Sequence, residues 1–129
     1  DKICFSIHTE KLHDNNVWVE IKIGLYPGVH DNLYDVNKLI SWILNNLDSN
    51  TPLHLINKGV DPEILKKAKK TAITAGLNYV YTHQGALSER TTICPNCKRE
   101  VIIRKEEKIE NKLKQGKCGC GKEIAGVWE

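Results

Sequence analysis

Residues 17–26 read VWVEIKIGLY, and this stretch decides the fold. Val17, Val19, Ile21 and Ile23 fall on one face, and Trp18, Glu20, Lys22 and Gly24 on the other, the period of a β-strand. Pro27-Gly28 then breaks the chain, and Asp31 or Asn32 can cap a helix. Across residues 33–47, Leu33, Val36, Leu39, Ile40, Ile43, Leu44 and Leu47 recur at steps of three and four, which predicts an amphipathic helix. Residues 48–52 turn, and residues 53–56 form a short apolar run suited to a buried strand. Asp61-Pro62-Glu63 supplies a cap, a proline at the first helical position and an early acid. The helix it opens runs through Leu65, Ala68, Ala72 and Ile73 to a stop at Gly76. Residues 78–82, NYVYT, make the next strand. Strand, helix, strand, helix, strand is the order of an α/β fold whose crossovers build a parallel sheet. Upstream, residues 2–7, KICFSI, suit another strand, but residues 8–16 are short for a crossover helix.

The pattern changes after residues 84–92, which read as a linker. Cys94 and Cys97 form C-x2-C, and after 20 residues Cys118 and Cys120 form C-x-C. Pro95 stiffens the first turn, and Gly119 and Gly121 give the second the backbone freedom its tighter spacing needs. Two thiolate pairs can close a tetrahedron around one ion, so these four cysteines are the expected ligands of a structural zinc. The rival readings are two disulfides, four free thiols, or an iron–sulfur cluster. A catalytic zinc is disfavoured, because it needs a water-bearing position. Between the pairs lie a short strand at residues 101–104 and a charged stretch. The expected division is therefore a β/α segment over residues 1–84 and a small zinc ribbon over residues 85–129.

With 129 residues, 40% apolar and 27% charged, the chain has the composition of a soluble globular protein. No run approaches the length of a membrane span, and no signal peptide is visible. Cysteines without an export signal imply a reducing, cytoplasmic setting. Cys4, beside Ile3 and Phe5, reads as a small core residue. The net charge of +3 is too weak to imply nucleic acid by itself. Lys98, Arg99, Arg104, Lys105, Lys108, Lys112, Lys114 and Lys117 do form a basic run that could dock nucleic acid or protein. No aromatic residue is interleaved with it to stack on bases.

Glu20 and Lys22 share one face of the first strand, either as site residues or as an ordinary ion pair. His54 lies within an apolar strand, where a satisfied core histidine is the usual finding. His83 follows NYVYT at a strand end, where sites gather in α/β folds. His8, His13 and His30 sit among polar residues and are expected at the surface.

The segments VWVEI at residues 17–21 and Tyr26-Pro27-Gly28 with Asp31-Asn32 resemble a stretch of the radical S-adenosylmethionine (radical SAM) proteins. More narrowly they resemble the radical SAM member of the AmmeMemoRadiSam system, which is related to the pyruvate formate-lyase activating enzymes. Pro52-Leu53-His54 is similar to the next strand of that family. So are Ala72 with Gly76-Leu77-Asn78-Tyr79-Val80-Tyr81, Thr92-Ile93-Cys94-Pro95-Asn96-Cys97, and the closing Gly126-Val127-Trp128. The likeness covers roughly residues 17–129. It implies a partial parallel β/α barrel, half-barrel-like, followed by the zinc ribbon. It also implies that Glu20, Lys22 and His54 face a barrel interior, where they could contact S-adenosylmethionine or substrate.

The chain departs from the family in what starts the chemistry. It has no C-x3-C-x2-C motif, whose three thiolates hold the 4Fe-4S cluster, and the glycine-rich segment that usually follows is absent. Residues 56–59 read INKG where the family commonly has an Arg and a second His, and the second cysteine pair is C-x-C, not C-x-x-C. S-adenosylmethionine and the 4Fe-4S cluster thus belong to the complete parent family. The chain alone is not expected to be an enzyme, and a half barrel predicts a missing N-terminal half or self-association as its partner.

Overall fold

The computed structural model of the chain describes residues 13–30, 32–84, 91–104 and 108–126. β1 (Ile21–Leu25), β2 (Leu53–Asn57) and β3 (Val80–His83) form a parallel sheet in the order β1-β2-β3. Helices α1 (Tyr34–Asn46) and α2 (Pro62–Ala75) connect them. The chain is thus α/β, with the element order expected from its periodicity. Ile21, Leu53 and Val80 are in register, and so are Lys22, His54 and Tyr81.

β1 starts at Ile21, not Val17. The Ile21 amide donates to the Pro52 carbonyl, but proline has no N–H to return. The ladder ends there, and Val17 and Trp18 stay 46% and 40% exposed.

α1 is capped differently from expectation. Its N-cap is Leu33, at φ 60°, with no side-chain cap bond. Asn32 still accepts from the Tyr34 amide, one residue ahead of the cap. The preceding turn sets this geometry: the Val29 and His30 amides donate to the Tyr26 carbonyl, and the Leu33 amide donates to that of His30. Leu33 is thereby drawn against the apolar core. The same turn buries His30, whose Nδ1 accepts from the Tyr26 amide, so this histidine is not at the surface. α2 begins as expected: Asp61 accepts from the Glu63 amide, Pro62 follows it, and Gly76 ends the helix at φ 124°.

Val36, Leu39, Ile40 and Ile43 of α1 and Leu65, Ala68 and Ala72 of α2 pack on Ile21, Leu25, Leu53, Leu55 and Val80. Ile73, expected on this inner stripe, is 49% exposed. Alternation along the strands turns Glu20, Lys22, His54, Tyr79, Tyr81 and His83 to the opposite face, which carries no helix among the described residues.

β4 (Thr92–Ile93), β5 (Glu100–Arg104) and β6 (Ile109–Asn111) form a separate antiparallel sheet. It packs on the β3 side of the helix-free face: Tyr79 and Tyr81 join Cys94, Val101, Ile102, Cys118 and Ile124 in a second apolar cluster. The seam is pinned by Tyr81 Oη against Thr92 Oγ1 at 2.7 Å and by the Ala125 amide donating to Tyr79 Oη at 3.0 Å. Among the described residues no helix is long and apolar enough to cross a membrane. The strand expected at residues 2–7, Cys4, His8 and Trp128 lie outside the described residues, as does most of the predicted linker.

Candidate metal centre and a hydrogen-bonded histidine pair

Two tight turns bring the cysteines together. In the first, the Cys94 amide donates to the Arg99 carbonyl and the Lys98 amide to the Cys94 carbonyl. In the second, the Cys118 amide donates to the Lys122 carbonyl and the Gly121 amide to the Cys118 carbonyl. Gly121 takes φ 96°, a conformation that strains any residue with a Cβ.

The sulfurs of Cys94, Cys97, Cys118 and Cys120 all lie within 4.8 Å of one another. Cys97 and Cys118 are 3.5 Å apart and Cys94 and Cys120 3.7 Å, and none is in a disulfide. The four can hold a metal ion. Cys94 and Cys118 are buried, Cys97 is half-buried and Cys120 exposed.

Their protons are held unequally. Cys120 is lowered to about 6, chiefly by the Asn96 side-chain amide and then by the Lys122 backbone amide. At Cys118 the Cys120 backbone amide pulls down, but burial and the neighbouring thiols outweigh it and push the group up to about 11. The Cys120 thiolate thus forms readily at neutral pH, whereas Cys118 holds its proton and would lose it to a bound cation.

On the helix-free sheet face, a chain of hydrogen bonds runs from the residue just before β1 through β2 to β3. Glu20 Oε1 lies 2.6 Å from His54 Nε2, and His54 Nδ1 lies 3.0 Å from His83 Nε2. Trp18 Nε1 donates to the other Glu20 oxygen at 3.0 Å, so both carboxylate oxygens are engaged. Burial raises the Glu20 carboxyl. Hydrogen bonds from His54 and Trp18, with the charges of His54 and Lys22, more than offset this and leave it below the ordinary value. Tyr81 stacks on His54 with ring centroids 5.0 Å apart.

Of the residues singled out in the sequence, Glu20 and His54 are therefore joined. Lys22 sits one strand away at the register of His54, exposed. His83 completes the chain because Ile56 is its register partner, which places it diagonally opposite His54. Trp18 and Asn96 carried no readable signal, since each acts through a contact that only the folded chain creates. Arg104 leaves the basic run: its Nη1 donates to Thr92 Oγ1 at 2.9 Å, and its guanidinium lies 5.9 Å from the Tyr81 ring centre. A cavity of about 290 Å³ lies between the sheets, lined in part by Trp18, Glu20, His54, Tyr81, Thr92 and Arg104.

No known family's sequence profile matches the chain, and no solved structure matches it. An uncharacterized protein of Methanocaldococcus jannaschii is similar to it, 33% identical over 103 residues that take in 68% of this chain and 30% of the relative. The chain thus spans under a third of the length of that relative.

Proposed function

We propose that Cys94, Cys97, Cys118 and Cys120 hold one structural zinc ion, making the C-terminal sheet a zinc ribbon. The observation that carries this reading is the sulfur geometry. A tetrahedral zinc with bonds of about 2.3 Å sets its sulfurs about 3.8 Å apart. Two of the sulfur pairs lie at 3.5 and 3.7 Å, and all four sulfurs are within 4.8 Å of one another. The ligand set is all sulfur, so it leaves no position for a reacting water. The Asn96 amide on Cys120 is the kind of outer contact that steadies a metal thiolate. Four reduced thiolates also suit a cytoplasmic protein.

The β/α unit is, in this reading, the latter part of a radical SAM-type barrel, with Glu20, Lys22 and His54 turned to its interior. The sequence resemblance, the parallel β1-β2-β3 order and the helix-free face support it. Such a face and the edge of β1, which pairs with no other strand among the described residues, call for cover, from the rest of a barrel or from a second copy of the chain. The chain itself brings no cluster-binding motif, so its work is to hold one wall of a site and to dock the ribbon.

Metal analysis of the purified chain, joined to an S-adenosylmethionine titration, tests this. One zinc per chain is expected. Iron with a visible absorption band overturns the zinc assignment. Measurable S-adenosylmethionine binding by the chain alone overturns the view that the nucleotide needs the complete barrel.

A further inference from the structure

β3 is an outer strand. Among the described residues it pairs with β2 and with no other strand. The Leu53 amide donates to the Tyr79 carbonyl, and Leu53 is in register with Val80. Along a strand of a parallel ladder, neighbouring residues turn their backbone groups to opposite sides. Tyr79 and Tyr81 therefore face β2, and Val80 turns its N–H and C=O to the outer edge. Val80 is buried, so this edge lies at the bottom of a cleft and not on an open rim.

The cleft has a volume of about 300 Å³. Leu77 and Val80 lie on its floor, Ile73 of α2 on one wall, and Ile93 of β4 with Lys98 of the first cysteine turn on the other. A second cleft of about 280 Å³ continues from it along α2, sharing Ile73 and adding Lys66 and Lys70. Ile73 is 49% exposed and Ile93 39%, so each wall presents an uncovered apolar side chain. The described residues lining the two clefts include no Asp or Glu. Lys66 is paired with Glu63, and Lys69 has a further contact in the fold. Lys70 and Lys98, both exposed, put positive charge on the two walls.

We propose that this groove binds an extended acidic segment of a partner protein, which adds a fourth strand beside β3. The segment's backbone pairs with Val80, its apolar side chains cover Ile73 and Ile93, and its carboxylates meet Lys70 and Lys98. The pairing is placed at Val80 because Thr82, the next residue turned outward, already has a contact of its own. An RNA strand suits the groove less well. Tyr79 and Tyr81 are buried and their hydroxyls are engaged, so neither ring is open to stack on a base. A lipid surface is too flat to reach a strand edge between two walls. The proposal needs the antiparallel sheet folded, whichever ion the cysteines hold, and it is independent of the barrel reading.

Amide NMR of the ¹⁵N-labelled full chain, metal-loaded as purified, tests it with an acetylated, amidated hexapeptide of alternating Glu and Val. Saturable shifts are expected at Ile73, Val80, Ile93 and Lys98, and binding should weaken severalfold at high salt. A hexapeptide of alternating Lys and Val should leave these amides in place. Of two Glu-Val peptides N-methylated at alternate residues, the one blocked toward β3 should bind about tenfold more weakly, the loss expected from one or two hydrogen bonds. Ile73→Ser and Lys70→Glu should each weaken binding by about three- to tenfold. Both side chains are exposed, so the denaturant midpoint should stay near wild type. Absence of a shift at Val80, equal binding of the Lys-Val peptide, or equal binding of both N-methylated peptides overturns the proposal. So does an oligouridylate or a phosphatidylglycerol vesicle that shifts the same amides as strongly. A Val80 signal that moves with protein concentration alone would seat a second copy of the chain in the groove and overturn it too.

Discussion

The two sheets of this chain differ in how much apolar surface they bury. Among the described residues, the parallel unit has fourteen buried apolar residues in one cluster, with α1 and α2 laid over β1, β2 and β3. The antiparallel sheet shares a cluster of seven, of which two are cysteines and two are tyrosines lent by the β3 segment. β6 is exposed along its whole length. A fold of that size without its own core needs another source of stability. On the zinc reading proposed above, that role falls to the four cysteines, and hydrophobic burial holds the parallel unit.

Metal removal should break the contrast most visibly. Structural zinc contributes about 10–16 kcal/mol to small zinc-bound folds. A strong chelator, or Cys97→Ser, should collapse the amide signals of β4, β5 and β6 while those of β1 and β2 persist. Loss of both sets together would mean that the two regions fold as one.

The converse substitution is Leu55→Ala. Leu55 is fully buried at the centre of β2, and truncating such a side chain costs about 2–5 kcal/mol. The unfolding free energy of the parallel unit, read from its denaturant midpoint, should fall by that amount. Zinc affinity, read by chelator competition, should stay near wild type if the ribbon's stability is its own.

Tyr79→Phe probes the seam. It removes the oxygen that accepts from the Ala125 amide and keeps the ring in the second cluster. Leaving that amide without its partner should cost about 1–3 kcal/mol. The loss should appear at the C-terminal segment by hydrogen exchange before it appears in the midpoint of the parallel unit.

Much of this was legible in the sequence. Period-two and period-3.6 patterns located the three parallel strands and both helices. Asp61-Pro62-Glu63 and Gly76 located the ends of α2, and cysteine spacing located the metal candidate. What stayed hidden depends on geometry that a one-dimensional pattern does not hold. Leu33 caps α1 because a turn built on Tyr26 and His30 carries the chain one residue past Asn32. Ile73 has helical spacing, but it lies where no strand packs against it. His83 meets His54 only through the β2–β3 register, which shifts their contact by one diagonal step. Glu20 and Lys22 were visible as face-mates, but the pairing of Glu20 with His54 belongs to the β1–β2 register.

The smallest expected effect sits at the entry to the parallel unit, and it gives the contrast a pH signature. His13 Nε2 lies 2.6 Å from Asp48 Oδ2, and Asp14 lies 3.6 Å from its other nitrogen. The hydrogen bond that His13 donates to Asp48 raises the His13 pKa, against burial, with smaller contributions from the Asp48 charge and from Asp14. A folded value above the unfolded one stabilises the fold fully below about pH 6.5. That contribution is lost as pH rises through the raised folded value. The pair is half open to solvent, so its size should stay under about 1 kcal/mol. Asp48→Asn removes the charge yet keeps Oδ1 as the acceptor for the Asn50 amide, which lies 2.7 Å from it. The turn should therefore survive, and only the pH slope should flatten. Thermal midpoints at about pH 6 and pH 8 measure this: the wild type should lose stability between them, and Asp48→Asn should lose less. An equal loss in both proteins would move the pH sensitivity away from this pair.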